Sequence, residues 1–563
     1  MSLFEDILHA RGLDTPERRR LFLEPDYVSS RHDPFLLPDM KQAVDRLVDA
    51  RKNQEKITIY GDYDIDGLTA STLLMDAFES FGFASLDVFI PNRFIEGYGL
   101  TVEAVEKIAA AGAKLIVTVD CGSLSEKEII RANELGVDVI VTDHHNVAPV
   151  QPPAVAVINP KRLLQDYPDE YERYLLKENS QHKGKIYPFL DLAGVGVAFK
   201  LVQALQTQLE GLPDGQEKWL LDLVALGTVC DIVTLVDENR ANVFWGLNVM
   251  SQTRRPGLRA LMAVAGVDPQ RVDARSLGFS LGPRMNAAGR LETAQYALDM
   301  LVATNREVAF ERAHHLDEMN RARRADQDRI FEEAKIQAEV YIDDPVLVLS
   351  ASGWSHGIIG IVAAKILEKY QKPTFVLEEI GEESKGSARS YGDFSAADAI
   401  RSADGIITKG GGHKFAAGVT LPTRNIPLFR EQVNLFYREQ NLVNQADLLL
   451  PRADALAGFD QVDEDLVKGL SKLEPFGNGN PQPIIKSESV VVINLRRMGA
   501  DAQHVKLEVR DRQGFRLQLL AFSAPEHFFA EVGSEVDVWY QPAVNEWNGR
   551  RTVEGKLLHL EII

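Results

Sequence analysis

Gly61-Asp62-Tyr63-Asp64-Ile65-Asp66-Gly67 follows the short β-branched run Ile57-Thr-Ile-Tyr60. Two further clusters repeat this arrangement: Asp120 comes after Leu115-Ile-Val-Thr-Val119, and Asp143-His144-His145 after Val137-Asp-Val-Ile-Val-Thr142. Such runs read as strands, and in an open parallel sheet ligands collect at the carboxyl ends of the strands. Three acidic strand ends can therefore converge on one crevice.

Outward from this stretch, helix and strand alternate over about residues 40 to 160. Helices are predicted at Met40–Lys52, Leu68–Phe81, Val102–Ala111 and Ser125–Leu135. Strands are predicted at Ile57–Tyr60, Leu86–Ile90, Leu115–Val119, Val137–Val141 and Ala154–Ile158. That order is the signature of a parallel sheet wrapped by helices, a doubly wound α/β domain. Residues about 195 to 265 are mainly helical. Thr304 to Tyr341 lacks Gly and Pro and places apolar residues at Phe310, Ala313, Leu316 and Met319, as a connecting helix of about 55 Å would. Its basic segment Arg321-Ala-Arg-Arg324 reads as a solvated helix face, with a groove lining as the alternative.

A second α/β unit follows, with strands at Val346–Leu349 and Thr374–Leu377 and a helix from Gly357 to Tyr370. Beyond Pro451 the period becomes two. Val505, Leu507 and Val509, then Phe515, Leu517 and Leu519, then Val536, Val538 and Tyr540 alternate with polar residues, and Trp547-Asn-Gly549 supplies a hairpin turn. A small antiparallel barrel of the OB type is expected. The domain plan is an N-terminal extension (1–39), a parallel-sheet domain (40–270), a connector with the long helix (271–342), a smaller α/β domain (343–440) and the barrel (441–563).

With 563 residues, several cores are expected, and 45% apolar content can fill them. No long uncharged apolar run and no basic-then-apolar leader is found, so a cytoplasmic protein without a membrane segment is expected. The two cysteines form no CxxC and no Cys/His array, which argues against structural zinc and a secreted disulfide scaffold. Cys121 and Cys230 adjoin candidate aspartates and read as small buried side chains. A net charge of −20 opposes nucleic-acid binding globally. Bound divalent cations invert that sign locally, so a narrow basic channel is compatible with an acidic exterior.

Asp-x-Asp-x-Asp-Gly also opens a calcium EF-hand loop, but counting from Asp62 the twelfth position is Leu73 instead of the bidentate Glu, and a strand precedes the run. On an extended segment, residues two apart share a face, so alternate aspartates can point into one cavity. Mixed carboxylate and imidazole ligation suits two Mn²⁺ ions, with Mg²⁺ as the harder alternative, and such a pair serves phosphoester hydrolysis.

Asp143-His144-His145 is the motif that names the DHH phosphoesterase superfamily, and further segments resemble its RecJ branch, exonucleases that act on single-stranded DNA. They are Gly61 to Gly67, Pro91-Asn-Arg-Phe-Ile-Glu-Gly-Tyr-Gly99, Thr118-Val-Asp-Cys-Gly122, Ala225-Leu-Gly-Thr-Val-Cys-Asp231, Gly282-Pro-Arg-Met-Asn-Ala-Ala-Gly-Arg290, Gly353-Trp-Ser-His-Gly357, Gly386-Ser-Ala-Arg389 and Gly410-Gly-Gly-His-Lys-Phe-Ala-Ala-Gly418. The resemblance implies DHH, DHHA1 and OB-type domains. It implies that Asp64, Asp66, Asp120, His144 and Asp231 ligate the metals, Asp120 as the bridge. Asp62, Asp143 and His145 would complete the catalytic set as outer ligands or phosphate contacts.

Arg93, Arg290, Ser387 and Arg389 resemble the family's phosphate-holding set, a task that suits the planar guanidinium. Gly411, Gly412 and His413 would add a backbone nest and a donor. Trp354, Tyr391 and Phe415 offer stacking faces, with core packing as the competing reading. Phe415, Arg284, His356 and Arg550 are carried as nucleic-acid contacts, with Arg496, Arg497 and Arg551 beside Arg550 on the barrel.

The implied activity is 5′ to 3′ hydrolysis of single-stranded DNA to 5′ mononucleotides, in recombination and repair, with the strand threading between the two α/β domains. A monomer is expected, with a single-strand binding protein and a recombination helicase as partners. The alternatives are a DHH phosphodiesterase acting on short oligonucleotides or cyclic dinucleotides, and an inactive replication scaffold.

Overall fold

The computed structural model describes residues 2–169, 186–440, 442, 448, 450–499, 502–547 and 549–563. These form two compact units: residues 1–289, 293–314 and 451–563 make one, and residues 290–292 and 315–450 the other.

In the first unit, β1 (Lys56–Gly61), β2 (Ser85–Phe89), β3 (Leu115–Val119), β4 (Asp138–Thr142) and β5 (Ala156–Ile158) form a sheet in the order β2-β1-β3-β4-β5. Every pairing is parallel. The β-branched runs of β1, β3 and β4 are buried on both faces, as strands covered by helices on either side must be. The chain order reverses between β1 and β3, which makes their carboxyl ends a topological switch point. Helices Gly194–Gln206 and Leu221–Cys230 pack on the helix Ile65–Ser80 that leaves β1. Behind them Lys200 and Glu238 form an ion pair from which water is almost excluded, and the Tyr187 hydroxyl donates to the same carboxylate.

The barrel belongs to this unit as well. Strands β11 (Ala455–Leu456), β12 (Ile485–Met498), β13 (His504–Arg510), β14 (Arg516–Ala521), β15 (Glu535–Trp547) and β16 (Arg550–Ile562) run in the order β11-β12-β13-β14-β16-β15, and β12 also pairs with β15. That last pairing closes five strands on themselves, the OB arrangement. Val505, Leu507, Val509, Leu517, Leu519, Val536, Val538 and Tyr540 fill the barrel as the two-residue period predicts. Phe515 departs from it: the residue sits in the turn before β14 and is 50% exposed. Trp547 pairs with Arg550 across the predicted hairpin, while Asn548 lies outside the described residues. The first helix, Leu3–Ala10, delivers Leu3, Ile7 and Leu8 into the barrel core, so the N-terminal extension is packed against the opposite end of the chain.

The second unit contains β6 (Leu347–Ser352), β7 (Thr374–Ile380), β8 (Glu383–Arg389), β9 (Lys409–Gly412) and β10 (Ala416–Pro422) in the order β6-β7-β8-β10-β9. Only β6 and β7 are parallel. The long helix runs from Arg306 to Val340, about 52 Å at the standard rise. Its basic segment is solvated as expected at Arg321, Ala322 and Arg324, and departs from that only at Arg323. Arg323 is 7% exposed and donates to Asn320 and Gln327, while Arg321 and Arg324 face water. A one-turn network of uncharged acceptors, with the Asp328 carboxylate nearby, accompanies the burial of the guanidinium. Trp354 is a core residue: fully buried, it donates its indole N–H to Glu333 at 2.7 Å. Among the described residues no helix is long and apolar enough to cross a membrane.

Candidate metal centre

The three acidic clusters do meet, though not on an extended segment. Asp62 sits just past β1, and the chain then turns at once into a helix that starts at Ile65, three residues before the predicted start. Asp64 is its N-cap, accepting the Asp66 and Gly67 amides at 3.0 and 3.1 Å. Asp66 lies in the first turn. Gly67 is required because a Cβ there would stand 2.5 Å from the Asp62 carbonyl oxygen. The aspartates are thus gathered by a strand-to-helix turn, whose geometry separates them by cap and turn positions instead of by the pleat.

Asp120 follows β3 with φ of 61°, a left-handed conformation that Asp tolerates better than bulkier residues. Asp143 and His144 follow β4. Asp231 comes from no strand at all: it caps the C-terminus of helix Leu221–Cys230. His144 Nε2 lies 3.0 Å from Asp120 Oδ1, 3.5 Å from Asp231 Oδ2 and 3.8 Å from Asp66 Oδ2. Three donor groups result: Asp62 with Asp64 and Asp120; Asp66 with His144 and Asp231; and Asp120 with His144 and His145. Within each group one ligand atom per residue lies within 4.8 Å of the others. Asp120 and His144 each belong to two groups, and Asp62 and His145 stand among the donors themselves.

The electrostatics fit divalent cations. Asp62 Oδ1, Asp120 Oδ1 and His144 Nε2 are buried and have no hydrogen-bond partner among the described residues. An orphaned buried carboxylate oxygen is costly unless a cation takes it. Burial, then the neighbouring Asp64, pushes Asp66 up to about 7; burial, then Asp66 and Asp64, pushes Asp231 up to about 9. Asp62 and Asp120 are lifted well above the carboxylate range by the same two causes. Burial, with His145 beside it, lowers His144 to about 3, so its imidazole is neutral and can donate a lone pair at neutral pH.

Asp143 behaves differently. Burial would raise it, but the His145 ring and the nearby amides outweigh burial and hold it below the usual range. Its Oδ1 accepts the His144 and His145 amides and His145 Nδ1 at 2.7, 3.1 and 2.9 Å, and its Oδ2 accepts the Ser123 amide at 3.0 Å. It is the anchor that orients His145.

Residues 56–228 match the profile of the DHH family, N-terminal domain; residues 343–439 match the DHHA1 domain and residues 453–559 the RecJ OB domain. The single-stranded-DNA-specific exonuclease RecJ of Escherichia coli is 32% identical over 543 residues, covering 92% of this chain and 89% of that protein. The chain belongs to the RecJ family. The Bacillus subtilis RecJ is 36% identical over 98% of this chain, which spans 66% of that relative's length. The crystal structure of RecJ in complex with Mn²⁺ from Thermus thermophilus superposes with a TM-score of 0.80 at 28% identity, over 99% of this chain and 75% of that one.

Other candidate RecJ site residues fall into separate places. Arg93 stacks on Tyr63, 4.4 Å from the ring centre, and is among the charges that pull Asp62 downward. Arg284, in the first unit, donates to the Ser280 carbonyl at 2.7 Å. In the second unit Arg290 donates to the Gly357 carbonyl at 3.1 Å. There Arg389 Nη1 donates to Ser387 Oγ at 3.3 Å, both near the start of helix Ile359–Tyr370, where a Cβ on Gly360 would meet them at 2.9 to 3.1 Å. Burial lowers Arg389. A helix N-terminus lined by Arg and Ser is suited to a phosphate. His356 is tied to Glu378 through its amide and its ring at 2.8 and 2.9 Å.

Gly411 and Gly412 are not the turn nest expected of a glycine run. They lie in the edge strand β9, paired with Gly418 and Ala417, and glycine is needed at 412 because a Cβ there would stand 2.6 Å from the Ala416 oxygen. His413 and Phe415 are exposed, Phe415 by 51%. Tyr391 spends its hydroxyl on the Gln371 carbonyl. Arg550 is exposed at the hairpin, while Arg497 faces Glu526 and Arg551 faces Glu464.

Several contributors escaped sequence reasoning. The Gly194 and Val195 amides, at a helix N-terminus, donate to the two Asp66 oxygens at 2.5 and 2.9 Å. A Cβ on Gly194 would stand 2.8 Å from Asp120 Cβ, and one on Gly227 would stand 2.9 Å from Asp66 Oδ1. Asn159 Nδ2 ties Ser123 to the His145 carbonyl, and the Tyr98 hydroxyl lies 3.0 Å from His145 Nδ1. The Gly194-Val-Gly196 start of a helix was the one available signal.

Proposed function

We propose that this chain is a metal-dependent exonuclease that degrades single-stranded DNA from its 5′ end to 5′ mononucleotides, in DNA recombination and repair. The observation that carries the reading is the convergence of Asp62, Asp64, Asp66, Asp120 and Asp231 with His144 and His145, its orphaned buried atoms included, in a RecJ-family chain. Two Mn²⁺ ions are the expected occupants, with Mg²⁺ as the alternative. Asp66, His144 and Asp231 would hold one, Asp62 and Asp64 the other, and Asp120 would be shared. Bound there, divalent ions supply Lewis acidity at the scissile phosphoryl group and activation of water.

The protein's own groups do the rest. Asp143 fixes the His145 ring through Nδ1 and both histidine amides. The N-terminal amides of helix Gly194–Gln206 fix Asp66. Arg93 presents a guanidinium beside Asp62, and Arg290, Ser387 and Arg389 are assigned to the 5′ phosphate, with His413, Gly411 and Gly412 as further phosphate contacts. Arg284, His356, Phe415 and Arg550 are assigned to the rest of the strand. The domain plan given above is the one proposed for this activity. A monomer acting in the cytoplasm with a single-strand binding protein and a recombination helicase completes the reading; two free cysteines fit that reducing compartment.

The test is single-stranded DNA labelled at its 5′ end, incubated with the full chain and Mn²⁺. Labelled mononucleotide at the earliest times, without a ladder, is the expected result. A shrinking ladder would mean attack from the 3′ end. Intact DNA would turn the assignment toward short oligonucleotides, cyclic dinucleotides or an inactive scaffold.

A further inference from the structure

Asp231 is the one donor of the centre with no strand behind it, and what holds it in place comes from the other end of the chain. Its amide ends the helix by donating to the Gly227 carbonyl at 2.9 Å. The next residue, Ile232, has φ of 62° and a side chain 70% exposed. A β-branched residue in the left-handed region is strained by on the order of 1 to 3 kcal/mol and persists only where its surroundings over-determine it.

Those surroundings are the loop Gly477-Asn-Gly-Asn480 that leads into the barrel. Asn478 Nδ2 donates to the Ile232 carbonyl at 2.9 Å, and its own carbonyl accepts the Leu235 amide at 2.7 Å, so one residue brackets the segment 232 to 235. The flanking glycines allow this approach: a Cβ at Gly477 would stand 2.6 Å from Leu235 Cδ1, and one at Gly479, whose φ is 72°, would stand 3.1 Å from Thr234 Cβ. The loop is itself hydrogen-bonded on several sides. Gly477 and Asn480 exchange backbone hydrogen bonds, and Asn480 Nδ2 donates to the Leu473 and Pro475 carbonyls at 2.8 and 2.9 Å. Asn480 Oδ1 accepts from Arg11 at 2.8 Å. Arg240, 2% exposed, donates from one nitrogen to the Lys472, Leu473 and Glu474 carbonyls.

We propose that the Gly477–Asn480 loop is the positioning element of the Asp231 carboxylate, with Asn478 as the positioning residue. Metal occupancy then depends on the docking of the C-terminal domain against the parallel-sheet domain, and not only on residues of the latter. The inference rests on Asp231 being a metal ligand, as argued above. On the Asp231 side, buried Asn239 donates to the Thr234 carbonyl at 3.0 Å, Thr234 donates to Asp191 at 3.1 Å and Cys230 Sγ meets the Leu277 carbonyl, but none of these three bonds falls on Ile232. When the loop is loosened, Ile232 relaxes out of the left-handed region and the last helical turn carries Asp231 away from His144.

The test compares full-length wild type, Asn478→Ala, Gly479→Ala and Asp120→Ala for Mn²⁺ binding by isothermal titration, and for the Mn²⁺ dependence of cleavage. Asn478→Ala is expected to weaken Mn²⁺ binding on the order of tenfold, as outer-shell changes do. It should move the Mn²⁺ requirement for cleavage up by the same factor, while kcat at saturating Mn²⁺ and the KM for DNA change little. Gly479→Ala retains the Asn478 side chain but strains the loop at φ 72° and crowds Thr234; it is expected to weaken binding several-fold and carries the test alone if Asn478→Ala does not fold. Unchanged Mn²⁺ affinity in folded Asn478→Ala, or a raised KM for DNA as its only effect, would overturn the proposal. If Asp120→Ala binds Mn²⁺ as wild type does, the metal-site reading itself fails; if it loses Mn²⁺ while both loop variants keep it, only the positioning role fails.

Discussion

Asp120 Oδ1 lies 3.0 Å from His144 Nε2, yet neither atom makes a hydrogen bond among the described residues. Two buried groups held this close without bonding to each other are arranged for something that lies between their neighbours. Asp120→Asn keeps the shape and removes the charge. Cleavage at saturating Mn²⁺ is expected to fall on the order of 10³-fold. The unfolding midpoint of the metal-free protein should rise, because the folded state no longer has to hold that buried carboxyl protonated against its ordinary tendency to ionise. Cleavage within tenfold of wild type would remove Asp120 from the centre.

The carboxylate cluster also predicts a pH dependence. Asp66 at about 7 and Asp231 at about 9 are raised above the ordinary 3.8. Between pH 4 and 9 the folded, metal-free protein therefore holds protons that the unfolded chain has released, and stability falls as pH rises through that window. Mn²⁺ replaces those protons. Denaturant unfolding from pH 5 to 9 should slope downward in chelator and flatten in Mn²⁺. Equal slopes in both conditions would contradict the assignment.

Gly194 is the first residue of its helix, where Gly194→Ala alters intrinsic propensity little. Its new Cβ would meet Asp120 at 2.8 Å and Asp66 Oδ2 at 2.9 Å. Mn²⁺ affinity, read by calorimetry, should fall about 10- to 100-fold with little loss of stability. Unchanged affinity would show that the two carboxylates can shift freely.

Arg389→Ala tests the phosphate assignment in the second unit. Loss of a charge-assisted contact costs about 1.5 to 3 kcal/mol, or roughly 10- to 150-fold. The preference for 5′-phosphorylated over 5′-hydroxyl DNA, measured as a ratio of kcat/KM, should shrink by that factor. A uniform loss on both substrates would assign Arg389 to general strand binding.

Lys200→Met leaves the buried Glu238 without its direct ion-pair partner, with Arg31 as the remaining cation nearby. Such single removals cost about 3 to 5 kcal/mol, whereas Lys200→Met with Glu238→Leu should recover most of it. Urea titration of the single and double variants gives the coupling directly.

Much of the fold was legible because its signals are local. β1, β3 and β4 lie within a residue of where their β-branched runs place them, and the two-residue period of Val505 to Val509 and Val536 to Tyr540 marks the barrel strands. Phe515 broke that period because a turn had already begun, a difference that apolarity does not report. Arg323 looked like surface because charge is read as exposure, while its burial depends on acceptors three and four residues away. Asp231 was reached by resemblance alone, since a helix C-terminus carries no pattern that marks a ligand.

By itself the sequence determined the parallel sheet, the strand ends on which the aspartates and histidines stand, and the closing barrel. Each of these follows from side-chain periodicity and turn chemistry within a few residues. Only the tertiary structure decided which groups complete the centre. Gly194 and Asp66 are 128 residues apart, and Asn478 lies 246 residues from Ile232. Such contacts leave no local period. They depend on how closely two backbones approach, and a glycine or an asparagine permits that approach without announcing it.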